Sequence, residues 1–141
     1  MKVILIILVS LLVQQCTHGL MVNASTSPQI ISPPSEIIAY INHTARLSCI
    51  IQNKESHHVF WSRYTIVNDT YKLSDVLFIN LLKFSSYPHY HLTRKVDKTT
   101  EHWNLEIRNI QPLDEGYYGC ALSTSEPIIK YSFVRVLGKI E

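Results

Sequence analysis

The chain has 141 residues, which is enough for one domain of ordinary size. Its formal net charge is +2 at pH 7 and no run of basic residues occurs, so neither nucleic acid nor an anionic lipid surface is expected as a partner. The chain has four glycines and contains neither a glycine-rich phosphate loop nor a nucleophile-elbow motif. We therefore expect that the protein is not an enzyme and binds no cofactor.

The first element is an amino-terminal segment, residues 1–19, with the layout of a secretory signal peptide. Lys2 precedes an apolar run from Val3 to Val13, which is shorter than the roughly 20 residues that span a bilayer. Small and polar residues follow, and we expect cleavage after Gly19. No second apolar stretch and no lipid-anchor signal follows, so we predict a secreted, extracellular product without a membrane anchor.

Cleavage would remove Cys16 and leave two cysteines, Cys49 and Cys120. In an oxidising compartment such a pair predicts one disulfide. That disulfide would close a loop of about 70 residues and stabilise the fold by about 4 kcal/mol on the chain-entropy account. A two-cysteine zinc site is the alternative, but neighbouring Cys or His residues at ligand spacing are missing, so we predict no metal.

Two features of the sequence indicate exposed segments: sequons for N-glycosylation and a lead-in rich in polar residues and proline. Asparagines occupy N-glycosylation sequons at Asn23, Asn42 and Asn68, which predicts a glycan-bearing surface in a chain with a signal peptide. Residues 20–34 are rich in Ser, Pro, Thr and Asn, and adjacent prolines at 33–34 bar a helix. We therefore predict an extended lead-in over 20–34, followed by one folded domain over 35–139.

Short segments with a two-residue period follow, and each predicts a strand with one buried face. The predicted inward residues are Ala45, Leu47, Cys49 and Ile51; Val59 and Trp61; Trp103, Leu105 and Ile107; Tyr118, Cys120 and Leu122; and Val134 and Val136. The nearly continuous apolar run at 76–84 also fits a helix, but its Ile, Val and Phe content and its short length favour a strand. Many short strands in one domain predict two antiparallel sheets packed face to face.

A more specific signal lies in the spacing of a few residues. They are Cys49, Trp61, Asp114, Gly116, Tyr118 and Cys120, with Leu105 in the same predicted core. This set resembles the immunoglobulin superfamily, variable type. The resemblance implies an all-β, Greek-key sandwich in which the disulfide joins strands B and F. It also implies that Trp61 of strand C packs against the disulfide and that the Tyr118 hydroxyl anchors the turn between strands E and F. These residues build the fold and perform no reaction.

The segment 103–127, WNLEIRNIQPLDEGYYGCALSTSEP, carries a closer likeness. It is similar to the membrane-distal domains of the lachesin, Dpr and DIP proteins and of the IgLON proteins, and the layout resembles small secreted proteins with a single immunoglobulin domain. Variable-type domains carry an arginine at the start of strand D that pairs with the residue corresponding to Asp114. Here His89 stands at that place, with Arg94 as the nearest substitute.

The resemblance implies that partners dock on the sheet formed by strands G, F, C and C′. Strand alternation independently directs Phe60, Tyr117, Tyr131 and Phe133 outward from this sheet. Adjacent outward aromatic residues favour a protein interface. The alternative is that the C′ segment or a loop covers Phe60 or Phe133 within the monomer.

The function that follows is recognition without catalysis. We predict a secreted protein that acts in cell–cell or synaptic contact and binds another immunoglobulin-domain surface protein or a second copy of itself. The alternative is a soluble immune-type binding module or decoy. His89 and His91 share a strand face, but no Cys, Asp or Glu nearby completes a metal site, so we interpret them as surface histidines.

Overall fold

The structure is a computed structural model that describes residues 26–138. The predicted signal peptide and the sequon at Asn23 lie outside these residues. The strands are β1 (Gln29–Ile30), β2 (Ser35–Tyr40), β3 (Ala45–Leu47), β4 (Ile50–Gln52), β5 (Val59–Val67), β6 (Thr70–Ile79), β7 (Leu82–Lys83), β8 (Tyr90–Asp97), β9 (Thr100–Ile107), β10 (Gly116–Leu122) and β11 (Ile128–Leu137). A 3-10 turn, Pro112–Asp114, precedes β10.

These strands form two sheets. The first has the order β1-β4-β9-β3, with β8 also paired to β9, and the second has the order β2-β11-β10-β5-β6-β7. Strand β2 lies parallel to β11, whereas the other neighbours are antiparallel. The second sheet therefore contains strands G, F, C and C′ of the predicted sandwich as β11, β10, β5 and β6. The predicted fold class is confirmed.

The core confirms the predicted strand alternation. The inward residues of the first sheet and of β5 and β10 are buried, and Val134 of β11 is fully buried while Val136 packs against the core. The apolar run at 76–84 forms strand, as predicted, but not one continuous strand: the returning strand β7 takes up Leu82–Lys83, and β6 ends at Ile79. There the chain reverses through Asn80, which has a φ of 50°, and its side-chain oxygen accepts a hydrogen bond of 3.0 Å from the Val59 N–H.

A disulfide joins the two sheets, between Cys49, which immediately precedes β4, and Cys120 of β10. Trp61 lies directly opposite Cys120 on the neighbouring strand, so both side chains point into the core. The Trp61 indole N–H donates a hydrogen bond of 2.8 Å to the backbone carbonyl of Trp103 in the facing sheet. The disulfide and the indole thus cross the same part of the interior.

The turn before β10 is fixed by Tyr118. The buried Tyr118 hydroxyl donates a hydrogen bond of 2.7 Å to the Asp114 carbonyl, and burial raises the pKa of this hydroxyl, so it stays protonated and able to donate. The Asp114 carboxylate accepts a hydrogen bond of 2.8 Å from the Gln111 N–H. Gly116 has a φ of 144°, and a Cβ at this position would lie 2.9 Å from the Arg63 guanidinium, so the turn requires glycine here.

Neither His89, which stands at the place of the usual strand-D arginine, nor Arg94 forms the usual pair with Asp114. Arg94 points along its own sheet and bonds Glu101 at 3.1 Å, and Asp114 receives instead a 3.4 Å hydrogen bond from the Tyr87 hydroxyl. The cation at this turn is Arg63 of β5. Its guanidinium donates to the carbonyls on either side of Asp114, those of Leu113 at 3.0 Å and Glu115 at 2.8 Å, and it lies over the Tyr118 ring.

We expect Arg63→Met to lower the free energy of unfolding by about 1–2 kcal/mol, because two charge-assisted hydrogen bonds to carbonyls are lost while the aliphatic stem is kept. Urea denaturation of both proteins measures this. The matched control is Arg46→Met on the first sheet. Arg46 is 70% exposed and makes one ion pair with Glu106, so its loss should cost about 0.5 kcal/mol or less. Equal losses in the two variants would contradict a role for Arg63 at the turn.

Candidate functional site

The outward face of the second sheet carries a set of aromatic side chains in mutual contact, which we call the aromatic cluster. Its members are Tyr64 of β5, Tyr71 of β6, Tyr117 of β10, and Tyr131 and Phe133 of β11. The Tyr71 and Tyr131 rings are stacked, with centroids 3.7 Å apart and planes 7° apart. Edge contacts of 4.8–5.3 Å link the other rings to this stack. Such geometries are the favoured ones for aromatic pairs.

The cluster rests on a glycine in the middle of β10. Gly119 lies opposite Ser62 on one side and Tyr131 on the other. A Cβ at this position would lie 2.5 Å from the Tyr64 ring and 3.3 Å from the Ile129 side chain. The Tyr64 ring therefore occupies the space that any other residue at 119 would fill.

The structure brings together most of the predicted docking residues. Tyr117, Tyr131 and Phe133 are half-buried members of the cluster. Phe60 faces the same side but lies opposite Ala121 of β10 and Ile79 of β6, away from the Tyr117 row.

Sequence reasoning missed Tyr64 and Tyr71. Tyr64 lies four residues after Phe60 in β5 and therefore points to the same face, so the two-residue period could have identified it. For Tyr71 no local signal exists, because its contact partners belong to strands that are not its neighbours. Tyr71 lies in the C′ strand and its ring stacks on that of Tyr131. The alternative that the C′ segment or a loop covers Phe60 or Phe133 is a different arrangement and stays a prediction.

The middle of the face is uncharged. Burial raises the pKa of the Tyr64 and Tyr131 hydroxyls, so both stay neutral at physiological pH. Charges lie at the rim, where Arg135 bonds Glu36 at 2.8 Å and its guanidinium lies 5.6 Å from the centre of the Phe133 ring. A groove of about 440 Å³ runs beside the stacked rings, from residues 34–36 to residues 129–133.

Two of the predicted glycosylation sites are described, and both are exposed at turns. Asn42 has a φ of 69°, and its side-chain oxygen accepts a hydrogen bond of 3.1 Å from Gln111, so its amide nitrogen is not the bonded atom. Asn68 forms the tip of the β5–β6 hairpin together with Asp69, both with positive φ. Glycosylation at these two exposed sites stays a prediction.

Other kinds of site were sought in the same residues. Within residues 26–138, no three His, Cys, Asp or Glu side chains come together so as to hold a metal ion. Over that same range, no helix is long and apolar enough to cross a membrane. The aromatic cluster is therefore the candidate site that the described part of the chain offers.

The sequence of residues 32–137 matches the family model of the immunoglobulin V-set domain. The chain belongs to the immunoglobulin V-set family. The predicted resemblance to variable-type immunoglobulin domains is confirmed.

This V-set domain is 28% identical over 122 residues to the human protein T-lymphocyte activation antigen CD86, an alignment that covers 80% of the chain. The chain matches only 35% of that relative's length.

Among solved structures, the V-set domain is similar to Dpr2 Ig1-Ig2 in complex with DIP-Theta Ig1-Ig3, with 23% identity and a TM-score of 0.67 over 81% of this chain and 48% of the other. It is also similar to the RIG-5 IG1 homodimer, with 23% identity and a TM-score of 0.64 over 78% and 97% of the two chains. It is similar as well to the Ig1 domain of mouse SynCAM 2, with 18% identity and a TM-score of 0.64 over 82% of this chain and 100% of the other. At these identities the likeness establishes the fold. The predicted Dpr and DIP domains are thus among its structural neighbours.

Proposed function

We propose that this V-set domain is a secreted, non-catalytic recognition protein that binds another extracellular protein through the outward face of the sheet formed by β11, β10, β5 and β6, in cell–cell or synaptic contact. The observation that carries the proposal is the cluster itself. Rings from β5, β6, β10 and β11 are held against one another on an outward sheet face, with neutral hydroxyls in the middle and charges at the rim. Rigid aromatic side chains of this kind supply contact area at a low entropy cost.

The partner we propose is another immunoglobulin-domain protein or a second copy of the chain. Two of the solved structures support this choice, because one is a complex between Dpr2 and DIP-Theta and another is a RIG-5 homodimer. An uncharged centre also suits a partner whose own face is aromatic or apolar.

A second candidate is a soluble immune-type binding module or decoy. The observation that favours it is the sequence similarity to T-lymphocyte activation antigen CD86. The two candidates share the docking face and differ in setting. Expression confined to neurons, with the protein concentrated at cell contacts, would support the first, and induction by infection would support the second.

The docking face is tested by Phe133→Asp in a binding screen of the tagged protein against a library of extracellular domains that includes the chain itself. A carboxylate at a docking hot spot should weaken binding by at least about 30-fold, the equivalent of about 2 kcal/mol. Phe60→Asp is predicted to weaken binding as well. Ser48→Asp places the same charge on an exposed position of the first sheet and should leave binding unchanged.

Circular dichroism and the secreted yield show whether each variant is folded. Unchanged affinity of a well-folded Phe133→Asp protein would overturn the proposal. So would an equal loss in the Ser48→Asp protein, because the effect would then depend on charge alone and not on the aromatic face.

A further inference from the structure

The stacked pair of the cluster joins strands that are not neighbours. Tyr71 of β6 and Tyr131 of β11 are separated by β5 and β10, and three strand spacings correspond to about 14 Å. Along the strand direction, Tyr131 is level with Ser62 of β5, whereas Tyr71 is level with Ile66, four residues further along β5. This offset adds about 13 Å in the direction of the strands. In a flat sheet the two residues would be roughly 20 Å apart. Two tyrosine side chains are too short to bridge that backbone distance, yet the ring centroids are 3.7 Å apart, so the end of the β5–β6 hairpin curves back over the face.

We call residues 65–72 the arm, since they form the part of the hairpin that extends past the last pairing between β5 and β10. That last pair is Tyr64 with Tyr117. The bend has a structural cause, because the pairing of β5 with β6 is irregular between Trp61 and Ser62 and again between Arg63 and Tyr64. Bulges of this kind bend a hairpin and increase its twist.

The arm is attached weakly to the rest of the domain. Its backbone pairs within the hairpin, and β7 pairs with β6 only at Phe78 and Ile79, far from the arm. The arm meets the sheet through the Tyr71 ring, which contacts Tyr131 and Tyr117. Lifting it would separate these rings but would break no hydrogen-bonded pair between the arm and the sheet.

The position of the arm conceals the surface proposed to dock. Its Tyr71 ring lies flat on Tyr131 and edge-on to Tyr117, and Tyr117 in turn contacts Phe133. Ile66 is paired with Tyr71 and points to the same side of the arm, where it is 45% exposed, whereas Val67 on the other side is 47% exposed. A partner that approaches the face therefore meets the arm first.

We propose that the arm, which carries Tyr71, is a lid on the other four rings of the aromatic cluster. It is closed by the stacking of Tyr71 on Tyr131 and opened, when a partner docks, by a swing after Tyr64, where β5 leaves β10. This inference rests on the proposed function, because it regulates the same face. If only a fraction of the molecules is in the open, binding-competent state, the apparent affinity for the partner falls to that fraction of its full value. A change that weakens the closure raises this fraction and therefore strengthens binding.

The first test needs no partner. Hydrogen exchange of the whole folded protein, followed by mass spectrometry, compares Tyr71→Ser with Leu73→Ser. Leu73 is 57% exposed and lies on the same strand just past the arm, so it is the matched control. We expect amides at 65–72 to exchange at least about tenfold faster in Tyr71→Ser, with amides at 59–64 unchanged. Equal protection of the arm in both variants would overturn the lid, because the arm would then be a fixed part of the sheet.

The second test uses the partner found in the screen or, if none is found, self-association measured by sedimentation. Tyr71→Ser should bind about three- to tenfold more tightly than the unaltered protein, whereas Leu73→Ser should not. Weaker binding by Tyr71→Ser would overturn the lid and make Tyr71 a contact residue of a closed face. This outcome is distinct from failure of the docking face, which is read from Phe133→Asp.

Discussion

Replacing both Cys49 and Cys120 by alanine is expected to lower the free energy of unfolding by about 4 kcal/mol. The two cysteines are 71 residues apart in the chain, so the disulfide excludes many extended conformations of the unfolded state. Both positions are buried at the centre of the sandwich, and the change to alanine also removes packed sulfur atoms. The free energy of unfolding of a domain is usually about 5–15 kcal/mol, so a large part of the stability of this domain would depend on one bond.

Urea denaturation followed by tryptophan fluorescence measures this loss, with both proteins handled without reductant. Ser48→Ala, next to Cys49 but exposed, is the control and should change stability by no more than about 0.5 kcal/mol. A double variant that is already unfolded in buffer agrees with the expectation. A double variant less than about 1 kcal/mol weaker than the parent would show that the disulfide contributes little to this fold.

Trp61→Ala should destabilise the domain by about 3–5 kcal/mol. Trp61 is 1% exposed and faces the disulfide, so its removal leaves a cavity where the two sheets meet. The substitution also leaves the Trp103 carbonyl without the indole N–H, and an unsatisfied buried acceptor adds to the cost. Trp61→Phe keeps a ring but not the donor, and should give an intermediate loss.

Thermal and chemical unfolding of Trp61→Ala are best compared with those of Phe84→Ala. Phe84 is also aromatic, but it is 55% exposed, so its truncation removes little buried area and should change stability by about 0.5 kcal/mol or less. If the two truncations cost the same, Trp61 would not be the central packing residue that its contacts indicate.

The parts of this fold that depend on local alternation were predictable. Residues such as Leu47, Leu105 and Val134 are buried because a strand with one face on the core repeats every two residues, and this period is visible in the sequence. The turn around Tyr118 was predictable for a different reason, since a tyrosine two residues before a cysteine is a recognisable spacing. The signal peptide and the glycosylation sites stay predictions.

The parts that depend on curvature were not predictable. Arg63 replaces the expected strand-D residue at the turn because β5 passes close to Leu113 and Glu115, which only the packing of the two sheets determines. Tyr71 joins the aromatic cluster because two bulges bend its hairpin, and bulges leave no clear mark in the residue pattern. The face was therefore predicted in composition but not in shape.

The long strand β6 has a consequence for the behaviour of the protein at high concentration. Its outer edge is covered by β7 only at Phe78 and Ile79, so the peptide groups from Thr70 to Val76 form an open rim of the kind that recruits further strands into fibrils. The irregular pairing disturbs the straight template that such growth needs, and the charged residues Lys72 and Asp75 stand along it. We therefore expect the domain to keep this unpaired rim without polymerising through it.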